Sequence, residues 1–238
     1  MLKTFPPQSS STPQTAESIV EHPYPDPSTS TNDPDQPNDP NPSPSPNDPN
    51  PPASSEYLIV SPYTTHPHLL NLTTLSTPAS LLAQSLTHLS STRTDYATAP
   101  YHTSFNWPTV ITHLKTLSHQ TPNHQWQHQN FYIIVFRSRI PPTTDRIELG
   151  ELDQRAHAEA MRSGGLLKYW FGVPDGEGRN LATCIWRHHS DARPASQGPG
   201  HKTAARKTIS MYNEWRIERL KLEIGHGVES WRIGEWED

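Results

Sequence analysis

Cysteine is almost missing from this chain: Cys184 is the only one in 238 residues. A lone thiol excludes an internal disulfide framework and any metal site built on paired cysteines. Long apolar runs are missing too. No stretch approaches the ~20 consecutive apolar residues that span a bilayer, and "MLKTFPPQSS" has no apolar core of the kind a secretory signal carries. A cytoplasmic or nuclear protein is the expectation. The 14 histidines lack HExxH or cysteine-paired spacing, so no metal is expected.

Charge of one sign is concentrated where there is nothing to fold. Residues 1–55 hold 15 of the 26 prolines and seven of the 24 acidic residues, with Lys3 as their one basic residue. Ordering each residue costs roughly 1–2 kcal/mol of backbone entropy, and "NDPDQPNDPNPSPSPNDPNPP" has almost no apolar surface to offset it. A disordered tail is expected over 1–55. With no basic residue flanking its prolines it reads as a solvated spacer rather than a PPII ligand. Residues 56–238 then carry 18 basic and 17 acidic side chains, a net of +1. That balance excludes long-range steering toward nucleic acid or a membrane surface.

What is present is a single α+β domain over 56–238, with an N-terminal extension at 57–128 and a core at 129–238. In the extension, Thr77-Pro78 reads as a helix start leading into a leucine stripe at Leu81, Leu82, Leu86 and Leu89. Asn106-Trp107-Pro108 opens a second helix with Val110, Ile111, Leu114 and Leu117 on its apolar face. In the core, "FYIIVFRSRI" is a strand that ends at Pro141-Pro142. Residues 145–165 are helical, with Leu149, Leu152, Ala156 and Ala160 at i, i+3, i+4 spacing and Gly164-Gly165 as terminator. "LLKYWFG" and "RNLATCIWRHH" form a hairpin across "GVPDGEGRN", which joins two strands and so cradles no phosphate. A helix from about His201 to Tyr212 and a strand over "RLKLEI" follow. The order β-α-β-β-α-β is ferredoxin-like and places both helices on one face of an antiparallel sheet.

The first strand is apolar on both faces: Phe131, Ile133 and Val135 on one, Tyr132, Ile134 and Phe136 on the other. A sheet covered by helices on one side alone should have a polar second face. A second subunit, the 57–128 segment or a ligand cavity must cover it.

The blocks "NFYIIVFRSRI", "LDQRAHAEAMRSGGLLKYWFG", "RNLATCIWRHHSDA" and "MYNEWRIERLKL", with "APYHTSFNW", resemble a fungal family of uncharacterised proteins over about residues 57–238. More distantly, the strand order and "RAHAEAMRSGGLL" are similar to the dimeric α+β barrel superfamily, which includes antibiotic-biosynthesis monooxygenases and YCII-like proteins. That resemblance implies a small, often aromatic ligand between sheet and helices, no cofactor, and a catalytic role for the histidine after "RA", His157.

From the residues, Asp153 and His157 stand four apart on one helix face, where a carboxylate can orient an imidazole as a general base. The bland alternative is a boundary histidine in a surface pair. Tyr132, Phe136, Trp170 and Trp186 are the aromatic candidates for a pocket wall, with Trp170 and Trp186 expected on a common face, and His201 projects toward the same region. Core packing explains the tryptophans equally well, and a first-turn solvent residue explains His201. His188 and His189 point to opposite faces and cannot share a metal. Cys184 reads as packing. The expected partner is a small molecule, with the chain a monomer or a homodimer and neither nucleic acid nor membrane involved. The competing reading is a non-enzymatic interaction module that uses the Trp-rich "ESWRIGEWED" for docking.

Overall fold

The computed structural model describes residues 56–237; the tail expected over 1–55 lies outside them. The N-terminal part begins with a short antiparallel ribbon of β1 (Tyr57–Leu58) and β2 (Leu70–Asn71). Three helices follow: α1 (Thr77–Ser85), α2 (Tyr101–Ser104) and α3 (Trp107–Gln120). Ser76 occupies the N-cap position of α1, one residue before the expected Thr77, and Pro78 sits in the first turn, where its missing N–H costs no hydrogen bond.

The core is built from β3 (Gln129–Arg139), α4 (Arg146–Ser163), β4 (Leu166–Phe171), β5 (Arg179–Trp186), α5 (His189–Ala195), α6 (Pro199–Thr208), β6 (Glu214–Ile224) and β7 (Trp231–Glu235). Asp145 caps α4 by accepting hydrogen bonds from the Ile147 and Glu148 amides. Gly164 and Gly165, both at positive φ, end it. The sheet order is β4-β5-β3-β6-β7, antiparallel throughout. Its first four strands have the ferredoxin-like arrangement of an α+β fold. Gly178 closes the β4–β5 connector at positive φ, where any side chain would collide with the Ile140 carbonyl oxygen.

Three boundaries differ from expectation. The second core helix is two helices: Pro194 lies inside α5, and Gly198-Pro199 starts α6 afresh. Strand β6 begins at Glu214 rather than Arg219, because Trp215 and Ile217 continue its alternation although both are exposed. The segment "ESWRIGEWED" carries a fifth strand. In β7, Trp231 pairs with Ile224 and Ile233 with Leu222, while Trp236 packs on Tyr132 and His189.

The extension covers the second apolar face. Phe131, Ile133, Val135, Leu181, Ile185 and Leu222 form one buried cluster with Leu82, Leu86, Trp107 and Leu114. Each fully buried aliphatic side chain contributes roughly 1.5–3 kcal/mol there. Arg137, itself buried, ties the layers together. Its guanidinium donates to the carbonyl oxygens of Tyr96, Ala97 and Ala99 at 3.1, 2.7 and 2.8 Å and pairs with Glu218 at 2.6 Å. Among the described residues no helix is long and apolar enough to cross a membrane.

Candidate functional site

The opposite face of the sheet is roofed by α4, α5 and α6, and it is not filled. A cavity of about 420 Å3 lies between them. Its origin is legible in side-chain size: Ala156 on α4, Ala192 and Ala195 on α5, Ala204 and Ala205 on α6, and Ala182 on β5 all line it. Small residues on both walls leave the layers apart where leucines would interdigitate. Moreover, α6 contributes no fully buried side chain to the described core. Ile134, Phe136, Tyr169, Phe171 and Trp186 complete an apolar, aromatic floor. Ile217, 41% exposed, and Tyr212 lie where the cavity meets solvent.

Of the residues expected to form a site, Asp153, His157, Phe136, Trp186 and His201 line this cavity. Tyr132 is buried on the same face but packs beside it, against His189 and Trp236. Trp170 does not belong. It points to the extension side, edge-on to Tyr96 and Phe105. The cause is a bulge between Leu166 and Lys168: Leu166 pairs with Trp186, but Trp170 pairs with Thr183 instead of Ala182. One extra residue exchanges every later side chain between faces, so Trp170 and Trp186 look in opposite directions.

Asp153 and His157 share a face of α4 as expected, yet they turn to different partners. The Asp153 carboxylate accepts hydrogen bonds from the hydroxyls of Tyr63 and Tyr169, both at 2.5 Å. Burial raises its pKa, against the lowering effect of those two hydrogen bonds. His157, 3% exposed, places Nδ1 2.8 Å from Nδ1 of His68. Its Nε2 is buried without a hydrogen-bond partner among the described residues. Burial, reinforced by His68 and His201, pushes the imidazole down to about 3. A neutral imidazole at physiological pH follows, too weak a base for the role the spacing suggested.

Two members of this group, Tyr63 and His68, come from the loop between β1 and β2. Its Val60 carbonyl accepts the Tyr169 amide at 2.9 Å, extending the sheet edge at β4. That pairing carries the loop around the edge onto the helix side, where Tyr63, His68, His157 and Tyr169 stack with ring separations of 4.7 to 5.2 Å. No periodicity or motif marked Tyr63; His68 is the second histidine of His66-Pro67-His68, a signal that sequence reasoning missed.

Two further polar groups, Glu159 and Cys184, are committed or inert. Glu159 accepts the backbone amides of Gly200 and His201 at 2.6 and 2.9 Å, and its Oε2 lies 3.4 Å from His201 Nδ1. The Cys184 thiol lines the cavity but is pushed up to about 12 by burial and by Asp153, so it stays protonated. Among the described residues no cluster of three or more His, Cys, Asp and Glu could hold a metal ion.

A family described as PB2B2.08-like matches residues 59–235. The chain belongs to the PB2B2.08-like family. A curated relative, UPF0643 protein PB2B2.08 of Schizosaccharomyces pombe, is 34% identical over 184 residues, which is 74% of this chain and 83% of that one. The family span includes Tyr63 and His68 as well as Asp153, His157 and Tyr169. Solved structures with a similarity to this chain include SnoaB, a cofactor-independent oxygenase from Streptomyces nogalater, at 18% identity and a TM-score of 0.33, covering 37% of this chain and 89% of that one. An antibiotic-biosynthesis-monooxygenase-like protein of Nitrosomonas europaea is 12% identical, with a TM-score of 0.33, covering 38% and 94%. This likeness concerns fold alone.

Proposed function

We propose that this PB2B2.08-like protein binds a small aromatic or polyketide-like molecule between the sheet and α4–α6. The observation that supports this reading best is an aromatic-floored cavity of about 420 Å3 whose lining includes His157, the Nε2 of which is buried without a partner among the described residues. A buried polar atom without a partner costs about 1–3 kcal/mol. Apolar walls with a few placed polar groups are the usual makeup of a small-molecule site.

The chemistry these side chains can supply is proton transfer. Asp153 is the acceptor, since burial raises its basicity, while Tyr63 and Tyr169 hold its orientation. His157 acts as a neutral hydrogen-bonding group. An isomerisation balances on these groups alone: Asp153 removes a proton from a carbon next to a carbonyl and returns it to another atom of the same molecule.

A thermal-shift screen of aromatic metabolites tests the binding reading. A ligand at 100 times its Kd adds roughly 2.7 kcal/mol of apparent stability. Stabilisation of the unaltered protein, reduced in Ala182→Leu, supports it; a melting temperature unmoved across the screen removes it. The interaction-module alternative draws on exposed Ile209, Trp215 and Ile217, the first and second 66% and 54% exposed. A self-associating protein whose melting temperature no ligand shifts would favour that alternative.

A further inference from the structure

We infer that the ligand of this cavity is uncharged at its buried end and presents a single neutral oxygen, as a ketone, quinone, ester or phenol does, in place of a carboxylate or phosphate. The inference rests on the binding reading above and deepens it to a chemical class.

Three observations carry it. First, no lysine or arginine lines the cavity among the described residues, whereas the Asp153 carboxylate does. Placing a second anion in a low-dielectric space beside that carboxylate, with no cation to pair it, is strongly unfavourable. Second, the place where the fold could have held an anion is already filled. The first-turn amides of α6, a ready anion site at a helix N-terminus, are taken by Glu159, and His201 faces the same carboxylate. Third, two lining residues, His157 and Trp186, each carry a nitrogen without a partner among the described residues, and a neutral oxygen within reach would satisfy either. Trp186 Nε1, which lacks a partner among the described residues as His157 Nε2 does, can only donate. If His68 donates to His157 Nδ1, then His157 Nε2 carries the proton and donates to a carbonyl oxygen. In the other tautomer it accepts, and a hydroxyl serves. Both groups are uncharged.

The test is a matched set on one skeleton, titrated into the whole protein at pH 7.5: methyl 2-naphthoate, 2-naphthol, 2-naphthoate and 2-methylnaphthalene. We expect the tighter of the two neutral oxygen ligands to bind at least tenfold more strongly than 2-naphthoate. In His157→Phe its affinity should fall toward that of 2-methylnaphthalene, whose own affinity should stay within about twofold. Equal or tighter binding of 2-naphthoate overturns the inference and leaves the binding reading intact. Binding of none of the four overturns both. Should His157→Phe not fold, the comparison of ester and naphthol with carboxylate on the unaltered protein decides alone.

Discussion

The two faces of the central sheet are made from the same strands and end differently. On the extension side, Trp107, Leu82, Leu86 and Leu114 are all but inaccessible, and they interlock with Ile133, Leu181 and Leu222. On the helix side, alanines face Phe136 and Phe171 across open space. Large side chains on both layers give a packed core; large on one and small on the other give a cavity. Stability is therefore concentrated on the face reached by residues 57–128, which leaves the face roofed by α4–α6 free to keep a void. The chain's own N-terminal part covers the packed face.

Removing the extension breaks this contrast most severely. A chain beginning at Gln129 bares Phe131, Ile133, Val135, Leu181 and Ile185 and strips Arg137 of three carbonyl partners. It is expected to be insoluble or to associate through the bared sheet, whereas a chain beginning at Ser55 should melt cooperatively near the whole-chain temperature. Sedimentation and calorimetry distinguish the outcomes. A soluble monomer from Gln129 with unchanged melting would show that the extension is not part of the fold's core.

Next in size are single truncations on the packed side. Trp107→Ala should cost about 3–5 kcal/mol and Leu114→Ala about 2–5 kcal/mol in denaturant unfolding, because neither site can collapse around the space it leaves. Arg137→Ala leaves the carbonyl oxygens of Tyr96, Ala97 and Ala99 without their donor and should cost a comparable amount, about 3–5 kcal/mol. Losses under 1 kcal/mol at all three would mean that the extension side is as loosely filled as the helix side.

The helix side responds to pH instead. His157 is lowered from 6.5 to about 3, chiefly by burial, and His68 is lowered by burial as well. Below pH 6.5 the unfolded chain takes up protons that the folded chain refuses, so stability falls as pH drops from 7 toward 5, by up to about 1.4 kcal/mol per pH unit for each such histidine. Asp153 acts in the opposite sense. Its raised pKa means that the folded chain holds a proton more readily than the unfolded one above pH 3.8, a stabilisation lost as pH rises through the folded value. His157→Leu should flatten the dependence of melting temperature on pH between 7 and 5; an unchanged slope would assign the titration elsewhere.

How much of this was legible in the chain follows from where each signal sits. The α4 stripe at Leu149, Leu152 and Ala160 follows from 3.6-residue spacing, and so does the common face of Asp153 and His157. Their partners were not legible. Tyr63 and His68 lie in a loop without period, and what delivers them is a backbone hydrogen bond between Val60 and Tyr169, to which side-chain identity gives no clue. Trp170 was assigned to the wrong face because alternation assumes an unbroken register, and the bulge beside Leu167 depends on tertiary packing. The early start of strand β6 was not legible because Trp215 and Ile217 are exposed, and an apolar, charged alternation at the surface is as compatible with a loop as with a strand.

The smallest expected change in stability gives the sharpest test of the contrast. Ala182 stands on β5 between Phe136 and Phe171 in register, on the cavity floor. On a packed face, adding three carbons would force neighbours off their rotamers and cost about 1–3 kcal/mol. Here there is room. Ala182→Leu should leave stability within about 1 kcal/mol of the parent, since the new side chain buries apolar area against two phenyl rings and suits a strand better than alanine. The same substitution should abolish the thermal shift given by any aromatic ligand, because it occupies the ligand's volume. Stability lost by more than 2 kcal/mol would mean that the void is smaller in solution than the geometry gives. Stability kept together with an undiminished thermal shift would place the ligand elsewhere, and the unfilled face of the sheet would then need another explanation.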